Sequence, residues 1–286
     1  MKILIIGNGW LGKRCKEVWG DEAVILGARE LETKQDVLKL LHEHRPDAVL
    51  NAAGRKGSPN VDWCETHPLE TIIGNVRLPL LIAEACQERG VYLLHIGSGC
   101  IFYGDSPHPD KAWREGDFGN PRPVYSRTKW AADLVLSTLP NVGIARIRLP
   151  IDSIPHAGNL IDKLAQYEKI IDVANSVTII PDMIPALYQL MQKKAAGIFH
   201  VTNPGIVRHR DIIQLYTELV DPAHTNEWIT EGELVAQGLA SQGRSNNVLF
   251  SDNLQKAGIV MPPAQESLRA VMREYGKHRK VVILPL

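Results

Sequence analysis

Three glycines near the start of the chain constrain its fold more than any other feature. Gly7, Gly9 and Gly12 form the pattern G-x-G-x-x-G directly after an apolar run at residues 2–6. A continuous apolar run of this kind predicts a strand buried on both faces of a parallel sheet. A glycine turn between such a strand and a helix lets the backbone approach a pyrophosphate, which the free N–H groups of the helix N-terminus can bind. The sequence therefore predicts a dinucleotide site that includes Gly7, Gly9, Trp10, Leu11 and Gly12.

Strand-like and helix-like segments alternate through the first 150 residues. Apolar runs at 23–27, 48–51, 91–96 and 142–149 predict further strands, and helical stretches at 10–19, 35–44, 68–89 and 124–136 separate them. This alternation predicts an α/β fold with a Rossmann-like, doubly wound parallel sheet. The remainder reads as helices near 160–167, 182–193, 208–219 and 264–274. We expect an NAD(P)-binding domain of residues 1–150 with about 176–200, and a smaller C-terminal substrate domain of residues 151–175 and 201–286.

Composition excludes several classes of partner. The 32 basic and 32 acidic residues cancel, so no basic surplus favours nucleic acid or an anionic membrane. No stretch approaches the roughly 18 apolar residues of a membrane span, and the N-terminal run has no signal cleavage site behind it. The cysteines at 15, 64, 86 and 100 show no metal-ligand spacing. The sequence thus predicts a cytoplasmic protein with free thiols, no metal centre, and no affinity for nucleic acid or membranes.

The residue after the second strand bears on the choice of cofactor. Many NAD sites have an acidic residue there for the ribose hydroxyls, whereas this strand runs into Arg29. A guanidinium suits the 2′-phosphate of NADP. Glu30 and Glu32 are close in sequence, so a solvated arginine is the alternative interpretation. We expect NADP, with NAD as the alternative cofactor.

A second group of residues predicts acid–base chemistry. Tyr125 and Lys129 are four apart on a predicted helix and so face the same side. An ammonium beside a phenol lowers the pKa of the phenol towards neutrality, which suits proton transfer to a carbonyl oxygen. Ser98 follows the fourth strand, at the sheet edge where such folds bind ligands, and its hydroxyl can bond the same oxygen. These residues predict the reduction of a carbonyl group.

Together these motifs resemble those of the extended short-chain dehydrogenase/reductases. GNGWLG, the serine after the fourth strand and YSRTK carry that resemblance. NAAGRKGSPNVDWCETHP, GSGCIFYGD, RIRLPI, VTNPGIVRHRDII and GRSNNVLF extend it to the dTDP-4-dehydrorhamnose reductases, and especially to the UDP-4-keto-6-deoxyglucose 3,5-epimerase/4-reductases of rhamnose synthesis. The chain departs from the family at the first turn, where G-x-x-G-x-x-G is common and this turn is one residue shorter.

The resemblance implies roles for individual residues. It implies that Ser98, Tyr125 and Lys129 form the reductase group and that Cys100 and Lys163 carry out epimerisation. A C4 ketone acidifies the protons on C3 and C5, and inverting these carbons needs a base on one face and an acid on the other. A cysteine near a cation and a desolvated lysine can serve. The alternative for Cys100 is a buried, unreactive side chain.

The same resemblance implies which residues surround the two ligands. Ala52, Ala53 and Gly54, after the third strand, would border the cofactor together with Tyr125 and Lys129. The nucleotide-sugar would contact Asn60, Asp62, Asn159 and Arg244. A turn role for Asn60 and Asp62, and a surface salt bridge for Arg244, remain alternatives.

Four functions follow, and the first is favoured. The resemblance implies a bifunctional enzyme that epimerises C3 and C5 of a nucleotide-4-keto-6-deoxyglucose and reduces C4 with NADPH. The alternatives are a reductase alone, and an enzyme like the GDP-fucose synthases, which use a histidine where this chain offers lysine, although His156 lies nearby. A non-catalytic, nucleotide-binding regulatory subunit is disfavoured by the intact Ser98–Tyr125–Lys129 set. The sequence leaves open the base of the substrate, UDP or dTDP, and the oligomeric state, with a homodimer as one candidate.

Overall fold

The computed structural model describes residues 1–58, 60–240, 243 and 245–283, with side chains described up to residue 279. Its strands are β1 Ile3–Ile6, β2 Ala23–Leu26, β3 Ala48–Asn51, β4 Tyr92–Ser98, β5 Ala112–Trp113, β6 Val142–Ile147, β7 Pro150–Ile151, β8 Lys169–Ile171, β9 Ala174–Asn175, β10 Thr178–Ile179, β11 Gly197–His200, β12 Val207–Arg208, β13 Glu227–Ile229 and β14 Val248–Leu249.

The α-helices are α1 Trp10–Trp19, α2 Lys34–His44, α3 Trp63–Thr66, α4 Pro68–Ile72, α5 Leu78–Arg89, α6 Val124–Leu136, α7 Leu160–Gln166, α8 Ile180–Gln192, α9 His209–Leu219, α10 Glu231–Ala236, α11 Asp252–Lys256 and α12 Ala264–Ile283. A π-helical turn, Ile73–Arg77, joins α4 to α5 where the sequence predicts one continuous helix. In the described part of the chain, no helix combines the length and the apolar character that a membrane crossing requires.

Six strands form one parallel sheet in the order β11-β6-β4-β3-β1-β2. Apolar side chains alternate between its two faces. On β1, Ile3 and Ile5 pack with α1 and α8, whereas Leu4 and Ile6 pack with α2, α5 and α6. Burying each such side chain contributes about 1.5–3 kcal/mol to folding. Helices on both faces of a parallel sheet confirm the predicted Rossmann-like fold.

A second hydrophobic core lies outside this sheet. It is built around α7, α9 and α12, with short strands between them, and includes Leu160, Tyr216 and Tyr275. The hydroxyl of Tyr275 donates to Asp162 at 2.9 Å, which ties α12 to α7. The segment before α12 packs instead on the first core, through Leu254, Ile259 and Met261.

The order of the sheet places the ligand site. The chain moves outward from β1 to β2, then returns to β3 on the other side of β1. Such a reversal separates the loops that follow β1 and β3 and opens a crevice at the carboxyl ends of the strands. The glycine turn after β1, residues 52–54 after β3 and Ser98 at the end of β4 all lie at this edge.

Candidate active site

The glycine turn has the geometry of an anion cradle. Gly7 adopts a φ of 114°, and a Cβ there would overlap the backbone of Ala53, while a Cβ on Gly12 would overlap the carbonyl oxygen of Gly7. At Gly9, by contrast, a Cβ would meet nothing within 4 Å. Gly9 caps α1 without any side-chain hydrogen bond, so the first N–H groups of the helix stay available for a ligand. The turn therefore fits a pyrophosphate despite being one residue shorter than the common family pattern.

Helix α1, which begins at this cradle, contacts the loop at 152–159. The Trp10 ring stacks on the His156 ring with centroids 4.8 Å apart, and Arg14 Nε donates to Asp152 at 2.6 Å. Both contacts tie α1 to the loop at 152–159, which leads into α7. The second core is thereby held against the glycine turn.

We expect Gly9→Ala to weaken NADPH binding by at least about tenfold while the melting temperature stays close to that of the wild type. The backbone at Gly9, with φ −74°, accommodates alanine, and the added methyl would occupy only the space into which a pyrophosphate would fit. Fluorescence titration with NADPH measures the effect. Gly116→Ala, another glycine with open space around it, is the matched control and should bind normally. Normal binding by the Gly9 variant would contradict the site.

Residues 52–54 are held beside the glycine turn. Ala52 N–H donates to the Ile6 carbonyl at 2.9 Å, and Ala53 N–H donates to Asn51 Oδ1 at 3.1 Å. Further along, Asn75 clamps Arg55 by accepting from its N–H at 2.7 Å and donating to its carbonyl at 2.9 Å. Asn75 projects from the π-helical turn and also donates to Thr128 on α6. Sequence reasoning missed Asn75, since a π-helical turn leaves no pattern of apolar residues.

Arg29 is exposed in the loop between β2 and α2. Its guanidinium forms neither a hydrogen bond nor an ion pair with any residue that the structure describes. The neighbouring Glu30 and Glu32 carboxylates therefore leave it available for a ligand phosphate. Its contact with a cofactor stays a prediction.

Ser98, Tyr125 and Lys129 converge at the carboxyl edge of β4. Tyr125 is half-buried and forms a side-chain hydrogen bond with Ser98. Burial raises the pKa of Tyr125 above its ordinary value, the charge of Cys100 acts in the same sense, and the Ser98 hydrogen bond opposes both. This direction is opposite to the lowering expected from the sequence. Burial is the largest cause of the shift, and Lys129, from which the lowering was expected, places its Nζ against the Ile96 carbonyl at 2.7 Å. The raised pKa keeps Tyr125 protonated at neutral pH, as a proton donor must be.

A buried chain of polar groups sets the state of Lys129. Asn51 Oδ1 accepts from Ala53, so Asn51 Nδ2 faces His95 Nδ1 at 3.0 Å and donates to it. A neutral His95 then carries its proton on Nε2, which lies 3.0 Å from Lys129 Nζ. Since two hydrogens cannot share this contact, it favours the neutral amine. Burial lowers the pKa of Lys129 to about 8, against the opposing charge of Asp133, and burial also lowers the pKa of His95.

Cys100 lies beside the same group. Its N–H donates to Ser98 Oγ at 3.2 Å, and its Sγ accepts from Arg148 Nη1 at 2.7 Å. Lys163 lies on α7, where burial and then the nearby Lys56 lower its pKa, while the charge of Cys100 raises it. Cys100 thus acts electrostatically on both Tyr125 and Lys163. The hydrogen bond to Ser98 places Cys100 beside the reductase residues, and the charge of Cys100 also affects the pKa of Lys163. Their assignment to one catalytic site stays a prediction.

The four residues expected to contact the sugar differ in their placement. Asn60 Oδ1 accepts from Asp62 N–H at 2.8 Å, which is the turn role left open by the sequence. Asn159 is fully buried and caps α7; its amide bonds Ile161 N–H and the Asp152 and Ile154 carbonyls. The structure therefore gives Asn159 a positioning role instead of a substrate contact. Arg244 lies outside the described residues.

Sequence reasoning also missed His95, Asn51 and Arg148. Each is a polar residue within or directly after a buried strand, in the stretches VLNAA, LLHIGS and RIRLP. A buried polar side chain needs a partner, so these positions were a usable signal. The identity of the partner required the three-dimensional structure.

The chain is similar to several known proteins over almost its whole length. The model of the RmlD substrate binding domain family matches residues 1–276. A bifunctional dTDP-4-dehydrorhamnose 3,5-epimerase/dTDP-4-dehydrorhamnose reductase of Arabidopsis thaliana is 35% identical over 97% of this chain and 94% of its own length. The crystal structure of the L780 UDP-rhamnose synthase of Acanthamoeba polyphaga mimivirus superposes with a TM-score of 0.88 at 30% identity, and the match covers 96% of this chain and 99% of that one.

Two further proteins resemble this chain in part of their length or in fold only. A trifunctional UDP-glucose 4,6-dehydratase/UDP-4-keto-6-deoxy-D-glucose 3,5-epimerase/UDP-4-keto-L-rhamnose-reductase of Arabidopsis thaliana is 32% identical, and this chain spans 42% of its length. The dTDP-4-dehydrorhamnose reductase of Bacillus anthracis, solved in complex with NADP, superposes with a TM-score of 0.80 at 21% identity over 96% of this chain and 100% of that one. At that identity the likeness concerns the fold alone.

Proposed function

This chain belongs to the RmlD substrate binding domain family, and on that basis we propose that it is an NADPH-dependent enzyme that epimerises C3 and C5 of a nucleotide-4-keto-6-deoxyglucose and reduces C4, giving a nucleotide-L-rhamnose. One observation carries the proposal. The N–H of Cys100 donates to Ser98 Oγ of the reductase group at 3.2 Å, and the charge of Cys100 also affects the pKa of Lys163, so one bound sugar would meet both proton-transfer pairs.

The cofactor would bind at the glycine turn, with its pyrophosphate over Gly9 and the N-terminus of α1, and with residues 52–54 along its side. When bound, its nicotinamide supplies a hydride to C4. The protein supplies the proton. Ser98 and Tyr125 would bond the C4 oxygen, and Tyr125 would transfer its hydroxyl proton to it. Lys129, whose pKa of about 8 lies close to neutrality, would return a proton to Tyr125.

Epimerisation would use Cys100 and Lys163 on opposite faces of the sugar. The Cys100 thiolate takes the proton from the carbon; the C–H bond breaks, an S–H bond forms, and the electron pair moves to the C4 oxygen as an enolate. The Lys163 ammonium then donates a proton to the opposite face, which restores the ketone with inverted configuration. Exchange with solvent resets both groups before the second carbon reacts. No oxidant is consumed in these steps.

Lys163 suits this role better than His156, the histidine of the alternative that resembles GDP-fucose synthases. Cys100 contributes to the pKa shift of Lys163 but is not among the causes of the lowered pKa of His156, which are burial first and then nearby charges led by Lys56. His156 also accepts from Gly158 N–H at 2.9 Å and stacks on Trp10. These contacts support a structural role for the histidine.

We expect Arg29→Ala to raise the KM for NADPH by at least about tenfold and to leave the KM for NADH nearly unchanged. The proposed contact is with the 2′-phosphate, which only NADPH carries, and a charged hydrogen bond contributes about 1.5–3 kcal/mol. Initial-rate measurements with both cofactors test this. Equal changes in both KM values, or none, would remove the argument for NADP.

Three further features of the protein are part of the proposal. The two cores support the division into an NAD(P)-binding domain of residues 1–150 with about 176–200 and a substrate domain of residues 151–175 and 201–286. Four free cysteines suit a reducing cytoplasm.

Exposed apolar side chains on the adjoining helices α4 and α6, among them Leu69, Ile72 and Val135, support a homodimer that forms through these helices. Measuring the mass of the protein in solution tests this.

Product analysis tests the proposed activity. The protein is incubated with NADPH and either UDP- or dTDP-4-keto-6-deoxyglucose, and the product is identified by NMR. A nucleotide-L-rhamnose supports the proposal, and the preferred nucleotide identifies the base. A product reduced at C4 without inversion at C3 and C5 would support the reductase alone, and failure to oxidise NADPH with either sugar would contradict enzymatic reduction.

A further inference from the structure

Arg148 is a buried cation that pairs with no carboxylate among the residues that the structure describes. It lies directly after β6 and is 2% exposed. Two residues earlier, the equally buried Arg146 donates to Asp133 at 2.7 Å and so has a negative partner. In the described parts of the chain no carboxylate forms an ion pair with Arg148. A buried charge without a counter-charge is costly, so an anion near this guanidinium would be strongly stabilised.

The guanidinium is held in one orientation. Nη2 donates to Asn175 Oδ1 and to the Ser245 carbonyl, both buried. Asn247 fixes the surrounding loops, since it donates to the carbonyls of Gly99 and Phe102 on either side of Cys100. With Nη2 occupied by neutral oxygens, Nη1 points at Cys100 Sγ at 2.7 Å. Of the three described groups that accept from the Arg148 guanidinium, only the thiol can become an anion.

We propose that Arg148 is a positioning residue that holds Cys100 as a thiolate aimed at the sugar. The inference rests on the proposed function, because a thiolate is the form that can remove a proton from carbon. It also gives Cys100 and Lys163 distinct roles. The cysteine, paired with a fixed cation, is the base, and Lys163, whose surroundings include Lys56, is the acid. The stretch GRSNNVLF would then serve catalysis through Ser245 and Asn247, which shape the seat of Arg148.

The test measures the reactivity of the thiol without any sugar. The full-length wild type and the variant Arg148→Met are alkylated with iodoacetamide between pH 5 and 9, and modification of Cys100 is followed by peptide mass spectrometry. The other cysteines are buried and report on unfolding. Losing a charge-assisted hydrogen bond changes the ionised fraction of a thiol by about 10- to 100-fold. A thiolate that is less stabilised is also a stronger nucleophile, and this offsets about half of the change in alkylation rate on a logarithmic scale.

We therefore expect Arg148→Met to lower the alkylation rate at pH 7 by about 3- to 10-fold and to move its midpoint up by about one to two pH units. Arg148→Lys should restore much of the rate, because it retains a cation, which a purely structural role would not predict. Asn175→Asp is the matched variant for the case in which Arg148→Met does not fold. It keeps Arg148 and adds a carboxylate beside Nη2, so it should slow alkylation in the same sense.

Two outcomes separate this inference from the proposed function. Equal alkylation rates in the wild type and in folded Arg148→Met would overturn the role of Arg148, whatever the enzyme does to a sugar. Equal rates in the wild type and Asn175→Asp would do the same if Arg148→Met does not fold. Slowed alkylation in these variants would support the thiolate even if the wild type failed to epimerise, in which case only the proposed function would fall.

Discussion

Tyr125→Phe should lower the rate of C4 reduction by about 10²- to 10⁴-fold, the usual contribution of a positioned general acid. The variant loses only the hydroxyl that bonds Ser98 and would donate its proton to the C4 oxygen. NADPH affinity and stability should change little, because the ring remains. The loss should appear in kcat and kcat/KM together, as expected for an interaction made in the transition state. Stopped-flow oxidation of NADPH with a pre-epimerised 4-keto-rhamnose nucleotide measures it directly.

Tyr188→Phe is the matched control for this experiment. Its hydroxyl donates to Glu22 at 2.6 Å on the exposed surface of α8, away from the carboxyl edge of the sheet. The control should retain wild-type turnover. Unchanged turnover in Tyr125→Phe, with normal NADPH binding, would remove Tyr125 from the reaction.

Cys100→Ser should abolish the formation of rhamnose from the 4-keto-6-deoxyglucose nucleotide, by about 10²-fold or more, and leave reduction of the pre-epimerised substrate largely active. A serine hydroxyl is of similar size but far too weak an acid to ionise at neutral pH beside Arg148. The ratio of the two rates is the measurement. A parallel loss of both activities would mean that Cys100 supports the reductase group, whose Ser98 bonds its N–H, and not epimerisation.

Lys163→Met should show the same separation of activities, because methionine keeps the length of the side chain and removes its proton. Burial lowers the pKa of Lys163 from its ordinary value, so its ammonium releases a proton more readily than an exposed lysine would.

The sequence predicted the parts of the fold that depend on local pattern. The buried run of β1, the glycine turn and α1 agree with their expected bounds, as does α6 at Val124–Leu136. The expected strand at 142–149 ends instead at Ile147, and Leu149 adopts a φ of 39°. Leu149 is apolar and so continues the strand pattern in sequence, whereas its backbone turns towards β7 and the second core. Nothing in side-chain type indicates such a bend.

The site was predictable where a single sequence motif contains both of the residues that come together. Tyr125 and Lys129 share a helix face, so their convergence follows from spacing alone. The direction of the Tyr125 pKa shift did not follow, because it depends first on the burial of the hydroxyl in the folded chain, while His95 and Ile96 of another element hold Lys129. Arg148 contacts Cys100 across 48 positions of sequence, and whether a carboxylate lies beside it is a property of the folded neighbourhood. Pairings of this kind are set by tertiary contacts and show no regular spacing in the sequence.

Solvent exchange distinguishes a site that both epimerises and reduces from one that only reduces. Epimerisation exposes C3 and C5 to protons that come from Cys100 and Lys163 and hence from water, whereas the hydrogen added to C4 comes from the cofactor. In heavy water with NADPH, the wild type should yield a nucleotide-L-rhamnose that carries deuterium at C3 and C5 and protium at C4, as resolved by NMR. A product reduced at C4 that retains protium at both C3 and C5 would contradict the proposed epimerisation. The protein would then be a reductase in which Cys100 and Lys163 transfer no protons.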